Sequence, residues 1–335
     1  MALTTIGDLA QSFLLRQRNT DLKAQLGTLV DELSSGRTAD VARHLSGSYS
    51  YLADVERNLA LLEGYSSATN EARLFTDTMQ DALDGFQTVS SSLGLDLMSA
   101  AQSGMPQVIA NLSARATGDL GVMLSQLNTS VGGRFLFSGI DSDTPPAADA
   151  QTILSALRAD LAGETTLAGI EMALDTWFGP GGGYETVAYL GSTNSLAPFA
   201  LGQGESVRLD LRADDAALRS LLKHTAMAAL VGDATLAFPD DLRREMTLAA
   251  GKGLTFDQSG VTRIRADLGY AQSRIEESAT RISAERTSFQ TARTELLAID
   301  PYETVTRLDD VQIQLEGLYT ITARLSRLSL TNYLS

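Results

Sequence analysis

The sequence predicts a mainly α fold, an elongated antiparallel helical rod or coiled coil built from both chain ends, with a small inserted α+β middle domain. Three observations carry that expectation. Apolar residues recur at heptad spacing near both termini. Val261, Leu268, Ile275, Ile282, Phe289 and Leu296 hold the same spacing without interruption. Only residues 141–254 break into segments punctuated by Gly and Pro, with strand-like alternation. The expected organisation is a terminal core of residues 1–45 and 297–335, a helical rod of 46–140 and 255–296, and the insert 141–254.

The first helix is expected over residues 3–33. Leu15, Leu22 and Leu29 repeat every seven, with Leu26 and Leu33 beside them. Ile6, Leu9 and Phe13 continue the pattern with a phase slip, and Ser34-Ser35-Gly36 ends it. Residues 37–50 are polar and predict a loop or short helix. A helical tract follows on Leu52, Val55, Leu59 and Leu62, then on Phe75, Met79, Ala82, Phe86, Val89 and Leu93. Ser103-Gly104-Met105-Pro106 breaks it, and Pro suits a new first turn. The next helix carries Ile109, Leu112, Ala116, Leu120, Met123, Leu127 and Val131 to Gly132-Gly133. A short extended segment, Arg134-Phe135-Leu136-Phe137-Ser138-Gly139, leads to the Pro- and Asp-rich boundary at 141–149.

Within the insert, residues 150–178 predict short helices and 179–183 a glycine turn. Residues 184–190 and 205–211 predict strands; Val207, Leu209 and Leu211 alternate with Arg208, Asp210 and Arg212. Helices are expected again at 214–231 and 239–250, with Gly251-Lys252-Gly253 as a helix end. The long helix 261–299 would span about 58 Å at 1.5 Å per residue.

The last thirty-five residues complete the pattern. Asp300-Pro301-Tyr302-Glu303 combines a capping Asp, a first-turn Pro and a Glu three residues beyond the cap. Leu308, Leu315 and Thr322 occupy one heptad position, and Val311, Leu318 and Leu325 the other. Ile321 and Leu328 widen the stripe beyond a two-stranded seam. A sticky helix at a terminus requires a partner: the two stripes are either core helices of an ordinary bundle, or they pair with each other and turn a shared outer surface to other subunits, and on the second reading Leu15, Leu22, Leu26, Leu29 and Leu33 with Leu308, Val311, Leu315, Leu318, Leu325 and Leu328 are the expected assembly interface. Residues 1–35 and 300–335 are expected to order fully only against neighbours, because isolated helices meet a nucleation cost with little burial to offset it.

Composition narrows the function classes. The net charge of −15 opposes nucleic-acid or anionic-membrane binding, which requires a basic footprint. The chain contains no cysteine, so thiol chemistry is excluded. The first twenty residues lack the basic region, apolar run and cleavage site of a secretory signal, and no stretch is apolar enough to span a bilayer. His44 and His224 are far apart in sequence and sit in no zinc-binding frame. Gly251-Lys252-Gly253 lacks the upstream glycine of a phosphate loop, and Asp141-Ser142-Asp143 lacks the later Gly and Glu of a calcium loop. Paired acids at 214–215, 240–241 and 309–310 suit helix starts or solvated faces. No catalytic residue, cofactor or metal ligand is therefore expected.

Three segments resemble one family. Leu33-Ser34-Ser35-Gly36-Arg37 resembles the turn after the N-terminal helix of bacterial flagellins. Leu127-Asn128 and the run from Gly132 to Gly139 resemble the exit from the helical core in the hook–filament junction, or hook-associated, branch of that family. Arg265-Ala266-Asp267-Leu268-Gly269, Asp300-Pro301-Tyr302 and Leu328-Ser329-Leu330-Thr331-Asn332-Tyr333-Leu334 resemble its C-terminal arm. Thr38-Ala39-Asp40 after Arg37 lacks the basic, amide-rich density of a filament flagellin, which favours the junction branch. The resemblance implies a structural subunit with no enzymatic activity, exported by the flagellar type III route without a cleaved signal and located outside the cell. Its implied partners are a ring of identical chains, a neighbouring hook-associated protein, flagellin and an export chaperone. Flagellin itself and a soluble helical adaptor are the alternatives.

Overall fold

The computed structural model describes residues 6–47 and 49–334, with side chains described over 10–47 and 49–325. The side chains of Ile6, Leu9 and Leu328 therefore lie outside the described residues. The fold is mainly α with a small α+β insert. Two compact units divide the chain, residues 1–62 with 284–335, and residues 63–283.

The first unit begins with α1 (Ile6–Ser35) and the short α2 (Val41–His44). Gly36, at φ 68°, ends α1 in the left-handed conformation that glycine adopts without strain. The Asp40 side chain caps α2 through the Arg43 amide at 3.0 Å. The unit closes with the end of α8 (Asp240–Leu297) and α9 (Pro301–Leu334). Asp300 caps α9, its Oδ1 accepting from the Tyr302 amide at 2.9 Å and the Glu303 amide at 3.3 Å.

The second unit is built on α3 (Ser50–Ser103), α4 (Pro106–Leu127), α7 (Ala216–Leu230) and α8. Phe86, Leu93, Leu120, Met123, Leu222 and Val261 lie in one continuous apolar core with almost no exposure. The insert covers that core with α5 (Ala150–Asp160) and α6 (Leu167–Phe178). Asp149 caps α5 at Thr152, and Thr166 caps α6 at Gly169. Two small antiparallel hairpins complete it, β1 (Ser130–Val131) with β2 (Arg134–Phe135), and β3 (Phe199–Gly202) with β4 (Glu205–Val207). Gly132 and Gly133, at φ 58° and 82°, form the first turn, where two consecutive positive φ values are required.

The second hairpin is fastened to the long helices by side chains at both ends. Phe199 packs edge-on against Phe75 of α3 with ring centroids 5.6 Å apart. Glu205 pairs with Arg281 and, at 3.8 Å, with Arg274 of α8. Arg134 pairs with Glu71 and stacks 5.0 Å from the centre of the Phe75 ring.

Four expectations are corrected. The helix expected to reach Val131 ends at Leu127, with Val131 paired in β1, and the strand expected over 205–211 stops at Val207. Residues 184–190 do not form a strand. Tyr184–Ala188 is a turn of π-helix, closed by the Tyr189 amide donating to the Tyr184 carbonyl at 2.7 Å. A strand would bury every second residue, whereas here Tyr184 and Ala188 are buried and Thr186 is exposed. The Tyr184 hydroxyl donates to the Ala213 carbonyl at 2.7 Å, which anchors the ring inside the insert. A Cβ on Gly183 would lie 2.0 Å from the Trp177 ring nitrogen, so the glycine is the floor on which the indole rests. Burial raises the Tyr184 hydroxyl above its usual range, and the nearby Asp214 charge adds to it.

Gly251-Lys252-Gly253 does not end a helix either, because α8 runs unbroken through it. A Cβ on Gly251 would lie 3.0 Å from the Gly94 carbonyl oxygen and 2.9 Å from Met98 Cγ. A Cβ on Gly253 would lie 2.4 Å from the His224 ring. Each glycine clears space for a neighbouring helix, and that packing outweighs the ~1 kcal/mol helix penalty of glycine. His224 Nε2 sits 3.2 Å from Asp257 Oδ2, which also accepts from the Ser220 hydroxyl at 2.5 Å. Burial opposes ionisation of Asp257, but the His224 and Ser220 hydrogen bonds outweigh it and lower its pKa.

Gly251→Val should destabilise the chain by about 1–3 kcal/mol in urea unfolding, since α3 leaves no room for branched atoms. Gly317→Ala should instead stabilise by up to about 1 kcal/mol, because nothing lies within 4 Å of its added carbon. A second prediction concerns acid. Burial works against the Asp233 charge, but hydrogen bonds from Thr235 and Arg158 outweigh it and hold the carboxyl at about 2. A depressed carboxyl stabilises the fold above an unfolded pKa of about 4 and loses that contribution as pH falls through the folded value. The stability difference between wild type and Asp233→Asn, followed by Trp177 fluorescence, should be on the order of 1–2 kcal/mol near pH 7 and close to zero near pH 2.

Candidate assembly surface

The terminal unit holds the stripe that the sequence singles out. The apolar edges of α1 and α9 meet in an antiparallel seam. Leu22 packs with Val311, Leu315 and Leu318, all buried, and Leu15, Leu26 and Leu29 pack partly buried against them. These residues close on one another because their 3-4 spacing aligns one face of each helix. Leu308 and Leu325 are half-buried on the same side of α9. Leu33 stands apart from the buried cluster and is 39% exposed at the joint end of α1.

Polar contacts fix the register. The Thr38 amide donates to the Leu297 carbonyl at 2.9 Å, and the Ile299 amide donates to the Gly36 carbonyl at 3.2 Å. Arg37 and Ala298 thereby form an isolated antiparallel bridge. The Ser34-Ser35-Gly36 and Asp300-Pro301 joints, distant in sequence, are tied together at one end of the seam. Glu32 reinforces the joint by accepting from the Ala39 amide at 2.8 Å. Farther along, Lys23 Nζ lies 5.9 Å from the centre of the Tyr319 ring. Hydrogen bonds with Asn19 and then Lys23 lower the Tyr319 hydroxyl below its ordinary range.

The heptad stripe alone did not reveal a second apolar surface. Phe13, Tyr302 and Ile313 are 62%, 85% and 67% exposed. At 100° per residue they lie opposite the seam on their own helices. Leu14, Val30, Val305, Tyr319 and Ile321 are also exposed. The phase slip at Phe13 moves that side chain onto a different face, and Ile321, 51% exposed, stands at the border between the seam and this outer surface. The available signal was apolar residues out of phase with the heptad. Among the described residues these terminal helices thus carry large apolar groups on both faces.

Among the described residues, no group of three or more His, Asp or Glu side chains converges as a metal site. No helix among them is long and apolar enough to cross a membrane.

Comparison with known proteins matches residues 257–334 to the family described as the bacterial flagellin C-terminal helical region. That stretch spans all of α8 after residue 256 and all of α9. No curated protein matches the chain. Among solved structures, Bacillus cereus FlgL superposes with a TM-score of 0.52 at 12% identity, covering 72% of this chain and 100% of that one. A flagellar hook-associated protein from Vibrio parahaemolyticus gives 0.50 at 14% identity, covering 73% and 95%. At such identities the likeness is one of fold.

Leu315→Asp or Leu318→Asp places a charge in the seam without a partner, at a cost of at least about 3 kcal/mol. Limited proteolysis of either variant should cut α1 and α9 rapidly. The 63–283 unit should stay protected, with Trp177 emission unchanged.

Proposed function

We propose that this chain is a structural, non-catalytic subunit of the bacterial flagellum, an adaptor at the hook–filament junction on which the filament assembles. One observation carries the reading. The two chain ends form a hairpin whose C-terminal helix has flagellin-type sequence, and whose outer apolar face is left open. The seam residues from Leu15 to Leu29 and from Leu308 to Leu325 shape that hairpin. Phe13, Leu14, Ile313 and Ile321 then meet neighbouring subunits. In this reading residues 1–45 and 297–335 form the assembly layer, 46–140 and 255–296 the supporting rod, and 141–254 the variable insert.

The partners follow from that role. Identical chains form a ring, with a hook-associated protein on one side and flagellin on the other. An export chaperone covers the sticky helices before assembly. The chain leaves the cell through the flagellar type III route and works outside it. The fold likeness to FlgL and to a hook-associated protein supports the junction position. The flagellin description of the matched C-terminal region supports the second reading, a filament subunit.

A strain lacking this chain decides between them. The junction reading expects hooks without filaments and flagellin released into the medium; normal filaments in that strain would sink it. Complementation with Ile313→Asp should leave helicity and secretion intact and abolish filament growth, because the substitution alters only the outer face.

A further inference from the structure

The apolar stripe of α1 contains one polar step. Leu15, Asn19, Leu22, Leu26 and Leu29 follow one another at alternating intervals of four and three, so Asn19 holds a seam position between two leucines. It is half-buried, as are Leu15, Leu26 and Leu29. Its side chain hydrogen-bonds to the Tyr319 hydroxyl of α9, and Lys23, one turn farther along α1, hydrogen-bonds to the same hydroxyl. Tyr319 stands next to Leu318 of the buried cluster.

The leucines alone do not choose an alignment. In the seam Leu22 is level with Leu315, which sets Leu15 level with Thr322. Slid by one heptad, the same two leucines would meet Leu308 and Leu315, an equally apolar match. A polar residue at one seam position penalises such slips, at some cost in stability. After the slide Asn19 would lie among Leu308, Val311 and Leu315, with Tyr319 moved about 10 Å away along the axis. Its amide would then be desolvated without that partner. The joint bonds at Thr38 and Ile299 act at the other end of α1.

We propose that Asn19 is the register-determining residue of the seam: its hydrogen bond to Tyr319, supported by Lys23, aligns α1 and α9 at the end remote from the joint and excludes the heptad-shifted pairings that the leucines permit. The alignment also shapes the outer face. Phe13 belongs to one helix and Ile313 to the other, so a slide of one heptad displaces them by about 10 Å relative to each other. Asn19 is thus a positioning residue, acting through the surface that the two helices present together. The inference concerns the hairpin itself and holds for either subunit reading.

The test measures register directly. The chain contains no cysteine, so Gln17→Cys and Thr306→Cys, both at exposed positions, give one pair of spin labels in the full-length chain. Their separation is read by pulsed dipolar spectroscopy in sucrose, which favours the ordered hairpin. With Asn19 in place a single distance is expected. Asn19→Leu should add a second distance displaced by up to about 10 Å, the length of one heptad, while circular dichroism shows helicity no lower than that of the labelled parent. Tyr319→Phe, which keeps the ring and loses the hydroxyl, should add the same second distance. Asn19→Gln keeps an amide within reach of Tyr319 and should restore the single one. An ordinary structural contact predicts the reverse, a less helical hairpin with its distance unshifted. A single native distance in Asn19→Leu would mean that the joint alone sets the register, and would overturn the proposal. So would more than one distance in the labelled parent, or Asn19→Gln behaving as Asn19→Leu does.

Discussion

The seam between α1 and α9 is the constraint from which the terminal unit follows. Leu22, Val311, Leu315 and Leu318 are the only described residues of these two helices, Thr304 aside, that are buried outright. Two helices of about thirty residues each are thus held by a narrow stripe and by the hydrogen bonds at their joint. A stripe of that width orders the pair without enclosing it. Among the described residues, Phe13, Leu14, Val30, Tyr302, Val305, Ile313, Tyr319 and Ile321 stay exposed on α1 and α9, and the proposed assembly role rests on that exposure.

The long helices of the second unit are governed by backbone proximity. Gly94 and Gly251 let α3 and α8 approach until a single added carbon would strike the opposing main chain. Gly253 does the same for the His224 imidazole. The insert then caps the helices with aromatic groups, Trp177, Phe178 and Tyr184, whose rings contact one another at centroid distances of 4.6 to 6.2 Å. The β3–β4 hairpin adds a charged and aromatic clasp across α3 and α8.

Much of this was legible in the sequence because helical periodicity is local. The heptads of α1, α8 and α9 and the cap at Asp300 are visible in a few consecutive residues. The seam partners were legible too, since only one stripe on each terminal helix has the required width. What escaped depends on distant neighbours. Gly251 and Gly253 look like helix breakers until Met98 and His224 are beside them. Residues 184–190 alternate well enough for a strand, yet the Trp177 ring against Gly183 and the Tyr184 bond to Ala213 impose a tighter coil. The outer face was obscured because Phe13 and Ile313 fall out of phase with the stripe that drew attention.

The bridge between Arg37 and Ala298, with the Leu22–Leu315 contact beyond it, joins residues separated by almost the entire chain. Contacts of such sequence separation are the slowest that a polypeptide can make, because the loop between them must close first. The 63–283 unit has a core that is complete in itself and does not wait for that contact. Closing the hairpin therefore means closing the longest loop in the fold, and any role that needs both terminal helices together waits on that step.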